Sequence, residues 1–547
     1  MLPSTKVAFF LISIYHKIYK PDQKSLNKEF RTHQQSTVPL LITHTHIHNM
    51  EKSAEEVHTS STTSHDQEKI APVEDTHDDY DPNAWYNKKL FGVLPPYSSS
   101  MFQVVMLAFV VFMTPGMYNS LSGLGGAGIS DKVTADNSTV ALYATFATIG
   151  FFGGTICNIV GPRACLCFGG TGYALYAGSL LAYQHTANKG FVIFAGCYLG
   201  ICAGCLWAAQ GAIVLSYPTE DKKGTAIMIF WVIFNLGGVI GSIIPLAANM
   251  ENKSNNATNG TFTGFIVLMA SGSLIALLML PMDKVIKSDG TRVQTQKFPN
   301  WKKEIMGLFK LAYSQPMILL MFPMFFSSNW FYTYQFNAVN ADRFTIRTRS
   351  LNSLLYWTFQ MVGAILIGTI LDLKMFRRSV RAKIGWALVF VFGMAIFGGG
   401  LKFQQGVTRE NVADIKLIDF KDSGYVGPMF LYIFYGVYDS MYQSYILWCL
   451  GAMSNNAQTV ALYAGFYKGI QSAGAAVAWR TDAIAIPFID MFISSWALPV
   501  GSLFVAIPLI FFKITDHTEA SQDGLVDSEV HDLKSIRSGV ESPAIVV

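Results

Sequence analysis

The sequence predicts an all-helical polytopic membrane protein with twelve transmembrane helices in two six-helix bundles. The first of three supporting observations is composition: 14% of the 547 residues are charged and 51% are hydrophobic, with mean hydropathy +0.33. A typical globular chain carries about 25% charge. The second is that apolar runs recur from Ser99 onward, each near the roughly 20 residues that cross about 30 Å of hydrocarbon. The third is that the longest connection divides these runs six and six. The formal net charge is only +4, and the basic residues sit in short clusters between apolar runs, which argues against a nucleic-acid partner and for membrane lipid.

The predicted spans are 100–121, 140–160, 164–183, 191–214, 225–247, 262–281, 315–337, 352–371, 384–401, 426–449, 457–479 and 492–512. They define an N-terminal bundle over 99–281, a central loop over 282–314 and a C-terminal bundle over 315–512. Residues 1–98 hold eight of the eleven histidines, many Ser and Thr, and the acidic cluster Asp75 to Asp81; they read as a disordered tail, as does 513–547. The apolar patch Val7 to Tyr15 is too short to span a bilayer. It reads as an interfacial patch or as an upstream extension, with Met50 as an alternative start. Polar tails carry runs such as His44, His46 and His48 by chance, so no metal is assigned.

Orientation follows from charge and from sequons. With the N-terminus in the cytosol, the cytosolic connections hold fifteen basic residues and the opposite ones eleven. The sequons at Asn252, Asn256 and Asn259 then fall outside, where glycosylation occurs. Both termini and the 282–314 loop are therefore expected in the cytosol, in the plasma membrane or an endomembrane of a eukaryotic cell.

An internal repeat ties the helices together. Leu142, Tyr143, Thr145, Phe146 and Gly150 recur as Leu355, Tyr356, Thr358, Phe359 and Gly363, and Thr139-Val-Ala-Leu-Tyr-Ala-x-Phe146 recurs as Thr459-Val-Ala-Leu-Tyr-Ala-x-Phe466. Helices two, eight and eleven hold equivalent places in a fold built from three-helix units. After the second helix, Gly154, Asn158, Gly161 and Arg163 stand in a loop that resembles the major facilitator superfamily motif Gly-x-x-x-Asp-Arg-x-Gly-Arg-Arg; Asn158, Ile159 and Pro162 depart from it. A second copy keeps Gly368 and Asp372. The resemblance implies a cytosolic latch between neighbouring helices at these positions.

A closer resemblance covers most of 100–513. Ser122-Gly-Leu-Gly-Gly-Ala-Gly128, Leu206-Trp207-x-x-Gln210-Gly211, Phe326-x-x-Asn329-Trp330-x-Tyr332-x-x-Gln335 and Gly465-Phe-Tyr-Lys468-Gly-x-Gln471-Ser-x-Gly474 are similar to the fungal branch of the Unc-ninety-three-like family. The resemblance implies the major facilitator fold. For activity it implies either a secondary transporter of a small solute or ion, or a non-transporting regulator or trafficking escort of another membrane protein such as a potassium channel.

Several motifs have plain structural readings. Gly123 to Gly128 fits a dinucleotide fingerprint on paper, but no strand precedes it, so it reads as a tight turn and no cofactor is assigned. Gly196, Gly200 and Gly204 clear one helix face for packing, and Cys202 and Cys205 on the same helix read as small buried apolar groups. Polar residues at mid-membrane depth carry more information, because an ionisable side chain there costs about 2.5 to 3.5 kcal/mol on insertion scales. Asp439 and Lys468 fall near the centres of consecutive helices, either as a structural ion pair or as a coupling site. Gln471, Asn235, Gln210, Asn329, Tyr332 and Gln335 are the other candidate substrate or ion residues, and Tyr435, Tyr438 and Tyr442 share a side of the helix with Asp439. The connecting segments offer no nucleophile with a base and no metal cluster, so the chain is not read as an enzyme.

Overall fold

The computed structural model describes residues 84–516 apart from 91–93, 130, 151, 220–221, 252–256, 294–305, 307–312, 314, 374 and 454–456. The expectations for Val7 to Tyr15, Met50, the His44 to His48 run, Asn252, Asn256, most of the central loop and the chain beyond 516 lie outside the described residues. The helices are α1 Ser100–Gly123, α2 Lys132–Gly150, α3 Gly153–Val160, α4 Pro162–Thr186, α5 Lys189–Ser216, α6 Lys223–Asn249 and α7 Asn259–Leu278. After the central loop come Pro316–Met321 as a 3-10 turn, α8 Phe322–Ser327 and the wide-turned Tyr334–Ala341. These are followed by α9 Ile346–Leu371, α10 Arg378–Gln404, α11 Val426–Met453, α12 Ala457–Ala483 and α13 Phe488–Lys513.

Among the described residues, eight helices are long and apolar enough to cross a membrane: all of α1, α4, α7, α9, α10 and α13, with Lys189–Val214 of α5 and Thr225–Asn249 of α6. The protein is a multi-pass integral membrane protein. Those outside that set include α2 and α12, which carry buried polar side chains such as Asp136, Ser138, Gln471 and Asp482, and the interrupted 316–341 stretch. Buried polarity lowers the apparent hydropathy of a helix whose polar face never meets lipid.

Several helices begin earlier than hydropathy alone predicts. α2 starts at Lys132, eight residues before the predicted span, because Asp131 caps it: its carboxylate accepts from the Thr134 backbone N–H at 3.0 Å and the Thr134 hydroxyl at 2.8 Å. Residues 84–90 and 94–98, expected in the disordered tail, are instead folded. They form a turn at Trp85–Asn87 and an antiparallel pair of β1 Lys89–Leu90 with β2 Leu94–Pro96. The backbone at Ser98 and Ser100 bonds Ile286 of the central loop at 2.8 and 2.9 Å. Packing of Trp85 on Tyr97 and of the Lys284 ammonium on Tyr86 supplies what composition did not announce. The start of the C-terminal tail is also engaged, since the Asp516 carboxylate caps α10 by accepting from Ser379 N and Oγ.

Buried apolar side chains gather into two clusters, one drawn from Val104 to Val293 and one from Ile318 to Ile514. Within the first, α2 and α5 touch through the glycines. A Cβ on Gly196 would strike the Ser138 carbonyl and one on Gly200 the Leu142 carbonyl, while Ser138 Oγ donates to Val192 O at 2.6 Å. Cys202 and Cys205 are buried free thiols beside them.

This close approach predicts that Gly200→Leu separates α2 from α5 and costs about 3 kcal/mol. A melting temperature in detergent several degrees below wild type is expected; an unchanged one would remove the contact as a source of stability.

Candidate functional site

Asp439 stands near the middle of α11, fully buried. A carboxylate in a bilayer-depth interior persists only when protein donors replace water. Here Oδ2 accepts from Tyr332 Oη at 2.8 Å, Tyr356 Oη at 3.0 Å and Gln360 Nε2 at 2.5 Å, and Oδ1 accepts from Gln443 Nε2 at 2.6 Å. Tyr332 comes from the irregular 316–341 stretch and Tyr356 and Gln360 from α9, so three elements converge on one group. Gln335 Oε1 lies 3.0 Å from Tyr356 Oη, while the buried Gln335 Nε2 has no partner. Both groups are satisfied when the Gln335 amide turns its nitrogen to the Tyr356 oxygen, freeing the single phenolic hydrogen for Asp439.

Lys468 on α12 does not pair with Asp439, and of the two readings open in the sequence the direct ion pair is the one this structure does not form. Its ammonium donates to Gln471 Oε1 at 2.9 Å and lies over the rings of Tyr467, at 5.1 Å, and Trp207, at 5.7 Å. Gln471 Nε2 lies 2.9 Å from Ser328 Oγ, 3.0 Å from Asn329 Oδ1 and 3.1 Å from Gln443 Oε1. Two amides, Gln443 and Gln471, thus join acid to base: Asp439, Gln443, Gln471, Lys468. Side-chain length explains the result, since each charge finds neutral partners on its own and neighbouring helices before it reaches the other.

The remaining predicted residues divide. Asn329, Tyr332, Gln335 and Gln471 belong to this network. Gln210 and Asn235 are half-buried on α5 and α6 and make no hydrogen bond among the described residues. Tyr435, Tyr438 and Tyr442 do not line the centre with Asp439: the first two pack on Phe397 of α10, and Tyr442 Oη bonds Ser327 and Ser502. Asn259 is exposed at the start of α7. Of the latch residues, Gly154 lies within α3 and Gly161 makes the bend into α4 at φ 89°. The side chain of Asn158 lies outside the described residues. Arg163 and Asp372 are exposed and form no ion pair among the described residues, and the carbonyl of Leu371 beside Gly368 and Asp372 is capped instead by Arg381 Nη1 at 2.6 Å.

The described side-chain hydrogen bonds between the N-terminal and C-terminal parts gather at the other end, around the glycine loop. That loop turns through positive φ at Gly125, Gly126, Ala127 and Gly128, which favours glycine. Gly126 N donates to Asn337 Oδ1 at 2.8 Å, Asn340 Nδ2 to Gly123 O at 2.8 Å, and Arg349 to the carbonyls of Leu124 and Gly125 at 2.7 and 2.6 Å. Asn337 Nδ2 also donates to Asp136 Oδ1 and Asp482 Oδ2, both at 2.7 Å, and Arg409 Nη2 bonds Asp482 Oδ1 at 2.6 Å. Lys132 pairs with Asp342.

Sequence reasoning missed Gln360, Gln443, Asp136, Asn337, Arg349 and Asp482. Gln443 had a local signal, one helical turn beyond Asp439 on the same face. Asp136 and Asp482 fell just outside the predicted spans, where charge is ordinarily solvated, and only their pairing across the chain reveals their burial.

The clasp predicts the effect of Asn337→Leu. Two buried carboxylates then lose their shared donor, and a loss of about 3 kcal/mol is expected, read as a lowered melting temperature of the purified protein. Wild-type stability in that variant would show that the amide bridge is dispensable.

Comparison with known proteins places the chain. Residues 131–510 match the family model "Ion channel regulatory protein UNC-93". An UNC93-like protein of Schizosaccharomyces pombe is 52% identical over 429 residues, covering 78% of this chain and 85% of the relative. UNC93-like protein 1 of Arabidopsis thaliana is 42% identical over 431 residues, covering 78% and 94%. Among solved structures, a D-xylose-proton symporter superposes with TM-score 0.52 at 12% identity, covering 77% of this chain and 99% of the symporter. The peptide transporter POT gives 0.51 at 14% identity, covering 78% and 95%. At such identities these two speak to fold alone, and the fold is that of the major facilitator transporters. The chain belongs to the UNC-93 family.

Proposed function

We propose that the protein is a secondary transporter of a small solute or ion, working by alternating access between six-helix bundles at 99–281 and 315–512, twelve spans in all. The observation that carries this reading is the inward-facing polar network from Asp439 to Lys468, which reaches Trp207 of the N-terminal part. A chain serving only as a binding surface has no need of buried charge at its centre. In this reading the clasp at the glycine loop closes one side of the central site, and the 153–163 and 368–372 segments are its counterpart on the other. Both termini and the 282–314 loop are cytosolic, the clasp is external, and Asn252, Asn256 and Asn259 carry glycans.

A second reading, a regulator or escort of another membrane protein, is favoured by one feature. An exposed groove of about 450 Å³ between α10 and α11 is lined by Val391, Phe392, Ala395, Gly399, Gly427 and Phe434, among others. Small residues there admit a neighbouring helix.

The experiment compares solute and ion accumulation in cells carrying wild type, Asp439→Asn, Lys468→Met or the double variant, with surface level measured alongside. Loss of wild-type-dependent flux at normal surface level is expected for all three; full flux in the double variant would overturn the central site. Orientation is tested separately. Glycosidase should shift the mobility of the wild type, and Gln at 252, 256 and 259 together should abolish the shift, whereas an unshifted wild type would reverse the assignment of sides.

A further inference from the structure

Resting on the transporter reading, we propose that the solute recognised at the centre is a small anion, a carboxylate or an inorganic oxyanion, held by the Lys468 ammonium beside the Trp207 ring. The two central charges are not equivalent. A carboxylate has about four lone-pair sites, and Tyr332, Tyr356, Gln360 and Gln443 together supply Asp439 with four donors at 2.5 to 3.0 Å. Asp439 is also fully buried. An incoming cation or amine would have to compete with those donors for the carboxylate.

Lys468 is the reverse case. Of its three N–H groups one donates to Gln471 Oε1. Among the described residues the ammonium otherwise lies over the faces of Trp207 and Tyr467, with no further hydrogen bond or ion pair, and it is half-buried. Ring faces stabilise a cation less than a desolvated anion does, so this ammonium has donor capacity left over.

The two helices that bring Trp207 and Lys468 together each carry a glycine bordered by open space. Gly211, one turn beyond Trp207, and Gly465, one turn before Lys468, have nothing within 4 Å of where a Cβ would stand. Gln210 beside Gly211, and Asn235 on α6, keep amide N–H groups with no hydrogen-bond acceptor among the described residues. Among the described residues the centre therefore offers one positive charge with donor capacity to spare and one carboxylate already held by four donors, which favours an anion over a cation or a zwitterion.

The test uses the purified full chain in detergent. Thermal shift is titrated with lactate, succinate, inorganic phosphate, methylammonium and glycine at matched ionic strength. At least one of the three anions is expected to raise the melting temperature saturably, and comparing the carboxylates with phosphate tells the two sources apart. Lys468→Met should weaken that anion by roughly tenfold or more, the worth of a charge-assisted hydrogen bond. Lys468→Arg should retain it, and Trp207→Leu should weaken it with Lys468 intact. Stabilisation by methylammonium or glycine alone, by none of the anions, or equally in Lys468→Met would overturn the proposal. Flux in proteoliposomes separates the two readings: an anion bound through Lys468 but never carried removes the transporter and leaves the site, whereas methylammonium carried in its place removes the anion and leaves the transporter.

Discussion

A polar group buried at membrane depth must find its partners inside the protein, because hydrocarbon offers none. The architecture follows from that requirement. Asp439 is tolerable only where α9, α11 and the 316–341 stretch bring four donors to it, and this fixes how those elements approach one another. Asp136 and Asp482 are tolerable only through Asn337 and Arg409, and this fixes the N-terminal part against the C-terminal one. Small-residue faces such as the one on α5 set which side of a helix meets its neighbour, and these bonds then fix the pairing of individual side chains.

The irregular backbone serves the same end. The wide turns at Phe112–Gly116 take Pro115, which has no N–H to give, without a break in α1. Those at Tyr334–Ala341 bring Asn337 and Asn340 together on the glycine loop. Such departures from regular helix are admissible at membrane depth only where protein surrounds them, and every residue of 334–341 is buried.

Much of this was legible in the sequence. Apolar runs of the right length match the eight helices that can cross a membrane among the described residues, and the small residues at Gly196, Gly200 and Gly204 gave a packing face that α2 occupies. Asp439, Lys468, Gln471, Tyr332 and Asn329 were singled out by depth alone, and they do stand together. What depth could not give was pairing. Opposite charges on consecutive helices suggest a salt bridge, yet rotation of α11 and α12 turns each toward neutral donors and acceptors instead. Nor could hydropathy separate the polar residues at 132–139 from a loop, since Asp136 is satisfied by Asn337 and Ser138 by Val192, both distant in the chain.

The glycine-loop clasp has a kinetic side. Its bonds converge on a few residues, with Asn337 alone touching Gly126, Asp136 and Asp482. Releasing one bond strands its neighbours in a dry interior, so partial opening is worse than either closed or fully hydrated. If the clasp opens, as the transporter reading requires, the expected opening is a switch and not a slide: rare, abrupt and gated by the entry of water, with little population between closed and open.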